Sequence, residues 1–217
     1  MVDGLCADSR KVRARSRKKG ALLLENIIEQ IFEPQFRQIS LRPVSGNNQI
    51  KGSGITYRPA PDVGEGYYWV QPIRDLCAVT IADLTFKKEV ELNYEHPSFL
   101  AVGNYAPPLV PHFQGNTVAS YSARCVRTEN HLVGYINNAS RFRAGISEGG
   151  TMRCVSVTML PGYFRSFLPK CFSVDHQELV HSVEGLAGMV TMPELEYLFA
   201  QICRVNPSAK YGGLYFE

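Results

Sequence analysis

Asp75-Leu76-Cys77-Ala78-Val79-Thr80-Ile81-Ala82-Asp83-Leu84-Thr85-Phe86 is the stretch on which the fold turns. It contains neither glycine nor proline, and its β-branched and aromatic residues suit a strand. Its apolar side chains follow a two-residue period rather than the 3.6-residue period of a helix. Cys77, Val79 and Ile81 share one parity, whereas Leu84 and Phe86 hold the other. The hydrophobic face therefore changes near Ala82-Asp83, which predicts a bulge or a corner of the kind curved sheets and barrel rims need.

Outward from this strand the texture repeats. Gly54 to Arg58, Tyr67 to Gln71, Val90 to Tyr94 and Ser98 to Asn104 read as strands, as do Thr117 to Cys125, Leu132 to Asn137, Arg141 to Ile146 and Met152 to Met159. Turn residues separate them: Ser45-Gly46-Asn47-Asn48, Pro59-Ala60-Pro61, Gly64-Glu65-Gly66, Glu95-His96-Pro97 and Glu148-Gly149-Gly150. Short strands in succession, with no helical stretch between them, exclude a βαβ fold. They predict an antiparallel β-barrel or sandwich over residues 40–160.

The period lengthens on both flanks. Leu24, Ile27, Ile28 and Ile31 predict a helix within residues 21–39 that ends before Pro34. Beyond Pro161, Tyr163, Phe164, Phe167 and Leu168 form a short helical patch. Asp175 is placed to cap a helix running through Leu179, Val183 and Leu186 to Gly188, with Glu178 three residues after the cap. Pro193 sits at a first helical position, followed by Leu195, Leu198, Phe199 and Ile202 at i, i+3, i+4 and i+7. Gly213-Leu214-Tyr215-Phe216-Glu217 reads as the opening of another helix, so the expectation is a chain that forms the front part of a longer one. The fold class is thus mainly β with a helical segment over residues 161–217.

Composition narrows the class. Hydrophobic residues make up 45% and charged residues 20% of 217, as in ordinary soluble globular proteins. No run of 18 apolar residues exists and no secretion signal opens the chain, so a cytoplasmic protein with no membrane partner is expected. Seven of the 23 basic residues lie in one run from Arg10 to Lys19, a leader over residues 1–20 expected to be disordered. The other 16 basic residues face 20 acidic ones, leaving the body at −4, a poor nucleic-acid surface. The six cysteines are too widely spaced for zinc knuckles and are expected to be reduced.

Sites for chemistry are sparse. No HxH motif is present, and His96, His112, His131, His176 and His181 read as turn, surface or helix residues, so no metal is expected. Ser53 lacks a nucleophile elbow, Cys125 and His131 form no distinguishable pair, and the glycine-rich stretches lack a phosphate loop. No cofactor and no catalytic residue are expected. What stands out is the aromatic supply on the strands, which includes Tyr57, Phe86, Tyr94, Phe99 and Tyr105. A wall built from Tyr67 or Tyr68, Trp69, Tyr121, Tyr135 and Phe142 would enclose a small organic ligand. Arg58 or Arg124 would serve a carboxylate. Parity alone places Tyr67 and Trp69 on the face opposite Tyr68, and leaves open which face is inward.

The segment Arg153-Cys154-Val155-Ser156-Val157-Thr158-Met159-Leu160-Pro161-Gly162-Tyr163-Phe164-Arg165-Ser166-Phe167-Leu168 resembles a strand-to-helix join of a known family. With Met192-Pro193-Glu194-Leu195 through Ala200-Gln201-Ile202, and Ala209 to Glu217, it is similar to the effector-sensing N-terminal domain of AraC-family transcriptional regulators, in the branch that includes the pyochelin-receptor regulators. The resemblance implies a cupin-like β-domain over 40–160 that binds a small-molecule effector. It also implies homodimerisation through helices of the 161–217 segment, for which Leu179, Val183, Leu186, Leu195, Leu198, Phe199 and Ile202 are the candidates. The resemblance also implies that DNA contact belongs to a C-terminal domain absent from this chain. A cupin-type enzyme or sugar-binding barrel is the alternative, and metal analysis would separate the two.

Overall fold

The computed structural model describes residues 26–44, 54–106, 110–114, 117–122, 131–185 and 192–204. The basic leader, Arg124, Cys125, Leu186 and the Gly213–Glu217 segment lie outside them. Eleven strands are described: β1 (Leu41–Pro43), β2 (Ile55–Pro59), β3 (Gly64–Ile73), β4 (Cys77–Phe86), β5 (Val90–His96), β6 (Phe99–Tyr105), β7 (Val110–Gln114), β8 (Thr117–Ser122), β9 (His131–Asn137), β10 (Ser140–Ile146) and β11 (Thr151–Met159). Seven form one sheet in the order β1-β2-β3-β4-β11-β6-β9, while β5 pairs with β10 and β7 with β8. Every pairing is antiparallel. The expected antiparallel class is present, but the barrel is corrected. The large sheet is open, with β1 and β9 at its edges, and the β5/β10 ribbon stands off as a separate layer instead of closing it.

The first strand read from the sequence, β4, is where the layers become visible. Its register against β3 and against β11 is continuous from end to end, so no bulge occurs at Ala82-Asp83. Residues Cys77 to Ala82 are all buried, whereas Asp83 is exposed and Leu84 and Phe86 are buried. The even residues Ala78, Ala82, Leu84 and Phe86 pack with the N-terminal helix, and Val79 and Ile81 pack with Phe199 from a C-terminal helix. The change of parity marks the point where the C-terminal helical cover ends and only one face of the strand stays dry.

The N-terminal cover starts at Asn26, whose side-chain oxygen accepts the Ile28 N–H at 2.9 Å. A wide π-helical turn, Ile28–Phe32, runs into α1 (Glu33–Gln38), so the helix does not end before Pro34. Pro34 falls in the first turn of α1, directly after the wider π-helical turn. The same device recurs at the other end of the chain: the π-helical turn Tyr163–Phe167 leads into α2 (Leu168–Phe172), with Pro169 in its first turn. Two further helices follow, α3 (His176–Gly185) and α4 (Pro193–Arg204). The Asp175 cap is formed, its carboxylate accepting the Gln177 N–H at 2.8 Å.

Helix α3 places Val183 and Leu179 against Leu100 and Ile136, and α4 places Phe199, Leu195 and Ile202 against Trp69, Val79 and Ile81. The seven-stranded sheet is therefore sandwiched. The C-terminal helices lie on one face, and α1 with the β5/β10 ribbon lies on the other. No helix among the described residues is long and apolar enough to cross a membrane.

Candidate functional site: a cavity between sheet and ribbon

The register of the large sheet brings small side chains to its centre. Gly103 on β6 lies opposite Ser156 on β11, which lies opposite Thr80 on β4. One step along the strands, Ala101 meets Thr158, which meets Ala78, and on the other side Cys154 meets Ala82. A floor of glycine, alanine, serine and threonine cannot reach the layer above it. Bulky residues surround this patch: Tyr68 on β3, Phe99 and Tyr105 on β6, and Met152 on β11.

The opposite layer supplies the roof. Ile31, Phe32 and Gln35 come from the N-terminal helix, Leu92, Tyr94 and His96 from β5, and Phe142, Ala144 and Ile146 from β10. Along β5 the burial alternates cleanly, with Val90, Leu92 and His96 buried and Glu91, Asn93 and Glu95 exposed. Helix and ribbon are fastened to each other by Gln38, whose amide donates to the Asn93 carbonyl at 2.6 Å and accepts the Asn93 N–H at 2.5 Å. Between floor and roof remains a cavity of about 70 Å³. Pockets for drug-sized ligands start near ~300 Å³, so this one takes a small group or a few waters as it stands.

Its chemistry is mixed. The rings of Tyr94 and Phe142 lie 5.1 Å apart, and those of His96 and Phe99 lie 5.2 Å apart at 72°. Polar atoms come from Ser156, Thr158, Asn137 and His96, all buried. The Ser156 and Thr80 hydroxyls share a hydrogen bond of 2.7 Å. His96 Nδ1 lies 2.8 Å from the Pro97 carbonyl. A carbonyl only accepts, so Nδ1 carries a proton in this contact, and in the uncharged tautomer with that proton Nε2 is an acceptor. Burial pushes the Cys154 thiol up to about 12, with Cys203 adding in the same direction, so this lining thiol is not a nucleophile at neutral pH.

The sequence-derived wall divides across the sheet. Tyr68 and Phe142 line the cavity. Trp69 and Tyr67 are corrected to the other face, where they pack with residues of α4. The alternation of β3 requires this: once Tyr68 faces the ribbon, its two neighbours face the helices. Arg58 is exposed on β2 and Arg124 lies outside the described residues. Tyr121 is on β8 and Tyr135 on β9, opposite Ala101, but their side chains also lie outside them.

His96, Asn137, Ser156 and Thr158 were missed. The following Pro97 gives His96 the pattern of a turn residue, yet β5 continues through it. For Ser156 and Thr158 the only signal is faint: two hydroxyls in a row share a parity with Met152 and Cys154, opposite Val155 and Val157. In a strand paired on both sides, a polar face that stays buried marks an interior site.

A second hollow lies on the helical side, bounded by Tyr67, Asp83, Asn104, Arg153 and Cys203. It is an open groove, crossed by the exposed Arg153–Asp83 ion pair at 3.0 Å. No family model matches the chain, and no curated protein or solved structure matches it. Among the described residues no group of three or more histidine, cysteine, aspartate or glutamate side chains is placed to hold a metal ion.

Proposed function

We propose that this chain is a ligand-sensing module in which a small organic effector enters the space between the seven-stranded sheet and the roof of α1 and β5/β10. The observation that carries this reading is the cavity: an interior gap with hydroxyl, amide and imidazole groups inside a ring of aromatic side chains. A few polar groups set inside a mostly apolar, aromatic wall are the make-up of a site that encloses and orients a small ligand. The roof is suited to respond. Among the described residues it shares no ladder of hydrogen bonds with the floor, so the two layers can part to admit a ligand without unpairing the described strands of the large sheet.

The resemblance to AraC-type regulators supplies the setting. In that setting the module is dimeric and cytoplasmic, and DNA is read by a separate domain. Leu179, Val183, Leu195, Phe199 and Ile202 are engaged within the subunit, which leaves Leu198 and its neighbour Tyr197, 54% and 64% exposed, as the outward apolar residues of α4. They are the side chains through which the proposed homodimer would form, and light scattering at micromolar concentration tests it.

The effector reading is tested by thermal melts of the protein with aromatic, steroid-like, sugar and siderophore-like compounds. A ligand of the folded state raises the midpoint. The same screen on Ala144→Leu, which fills the cavity from β10, should lose the stabilisation. If no compound stabilises the protein, or if the variant responds equally, the cavity is not the effector site.

A further inference from the structure

Resting on that reading of the cavity, we infer that its ligand is an uncharged, single-ring compound bearing a hydrogen-bonding group such as a hydroxyl or carboxamide. Three features of the lining lead there. The first is charge. Among the described residues, no lysine, arginine, aspartate or glutamate lines the cavity. The arginine that the sequence offered for a carboxylate, Arg58, is exposed on the second strand of the sheet. An ion brought into this space would lose its hydration with no opposite charge to meet it, and a small ligand has too few contacts to offset that loss.

The second feature is the kind of polar group on offer. The His96 ring has its Nδ1–H committed to the Pro97 carbonyl, which in the uncharged tautomer leaves Nε2 as an acceptor. The Ser156 hydroxyl is paired with Thr80, and one such pair, with two protons and two oxygens, still has capacity for a further partner. Thr158 adds another hydroxyl on the same parity of β11. These groups complement an O–H or N–H donor and a neutral acceptor, which is what a phenol or an amide carries.

The third feature is shape and size. Tyr94 packs on Phe142 and His96 on Phe99, and these paired rings give the lining aromatic edges and faces against which a ligand ring packs favourably. A cavity of about 150 Å³ takes one benzene ring, so at about 70 Å³ the roof must part to admit a single ring, and a fused system would need a wider opening still. An apolar cavity binds bare benzene. This one has polar groups whose hydrogen bonds a bare hydrocarbon would leave unmade, so the substituted ring is preferred.

The test uses four matched probes on the full chain at pH 7: phenol and benzamide, which are neutral there, and benzoate and benzylammonium, which are charged. Binding is read by titrating the methyl resonances of Ala144, Ile146 and Thr158, with Ala144→Leu as the filled-cavity control and Ala144→Val in its place should the larger side chain prevent folding. Phenol or benzamide should shift these methyls saturably, at least tenfold more tightly than either ion, and the control should lose the effect. Benzoate or benzylammonium binding the same methyls as tightly as its neutral partner overturns the uncharged-ligand inference and leaves the site standing. No probe moving those methyls overturns both the inference and the cavity reading beneath it.

Discussion

Phe199 is the single buried side chain of α4, 4% exposed, although its neighbours Tyr197 and Leu198 are mostly in water. Its ring packs with Trp69, Val79, Ile81, Leu132 and Val155, while Leu195 and Ile202 are only half-buried beside it. Truncation of a buried phenylalanine to alanine costs ~3–5 kcal/mol, and each half-buried aliphatic neighbour contributes less than the ~1.5–3 kcal/mol of a fully buried one. Phe199→Ala therefore removes about half or more of what holds α4 to the sheet. A helix of 12 residues is marginal alone, so the expected consequence is local: α4 leaves the sheet while the strands stay folded. Trp69, the only tryptophan and 1% exposed, then meets water. In native buffer the variant should show red-shifted Trp69 emission and stronger acrylamide quenching, with the far-ultraviolet strand signal retained. Tyr197→Ala, on the outward side of the helix, should leave the Trp69 emission unchanged. Unshifted emission together with an unchanged urea midpoint in Phe199→Ala would refute the packing of α4 over Trp69.

Other perturbations probe the floor and the thiols. A Cβ at Gly103 would sit 2.7 Å from the Ser156 Cβ and 2.9 Å from the Val155 carbonyl oxygen, so Gly103→Ala should cost ~1–3 kcal/mol in urea melts, and an unchanged midpoint would contradict the close β6–β11 approach. Thr80→Val deprives the Ser156 hydroxyl of its buried partner and should cost ~1–3 kcal/mol. Adding Ser156→Ala should recover part of that loss, and strictly additive losses would show that the two hydroxyls are not coupled. Burial raises the thiols of Cys77 and Cys154 from the ordinary 9.0 to about 12. The unfolded chain therefore releases these protons first, and the stability they contribute is present below pH 9 and lost as pH climbs toward 12. Tyr57, Tyr67 and Tyr163, also raised by burial, act in the same sense. A urea midpoint that does not fall between pH 8 and 10.5, or a slope unchanged in Cys77→Ala/Cys154→Ala, would contradict this assignment.

What the sequence made legible was local. The long central strands announce themselves by their two-residue period, and the C-terminal helices by the Asp175 cap and the position of Pro193. The strands that escaped notice are the three-residue β1 and the proline-bearing β7, Val110–Gln114, each lacking a sustained alternation. Whether the sheet closes depends on whom β5 and β10 pair with, a choice settled by contacts between distant residues and not by either strand's own pattern. The cavity is non-local in the same way. Gly103, Ser156 and Thr80 become a floor only when three strands align, and no single segment shows it. The shift of parity in β4 illustrates the limit well. The pattern was real, but its cause was the edge of the helical layer above it, which the strand itself does not encode.

The effector reading depends on where a bound compound sits. For any small molecule that raises the thermal midpoint, intermolecular nuclear Overhauser effects to the methyl groups of Ala144, Ile146 and Thr158 are predicted, with none to Ile81 or Val157 on the helical face. Effects to Ile81 and Val157 instead, or to no methyl of the sheet at all, would contradict the assignment of the cavity as the site.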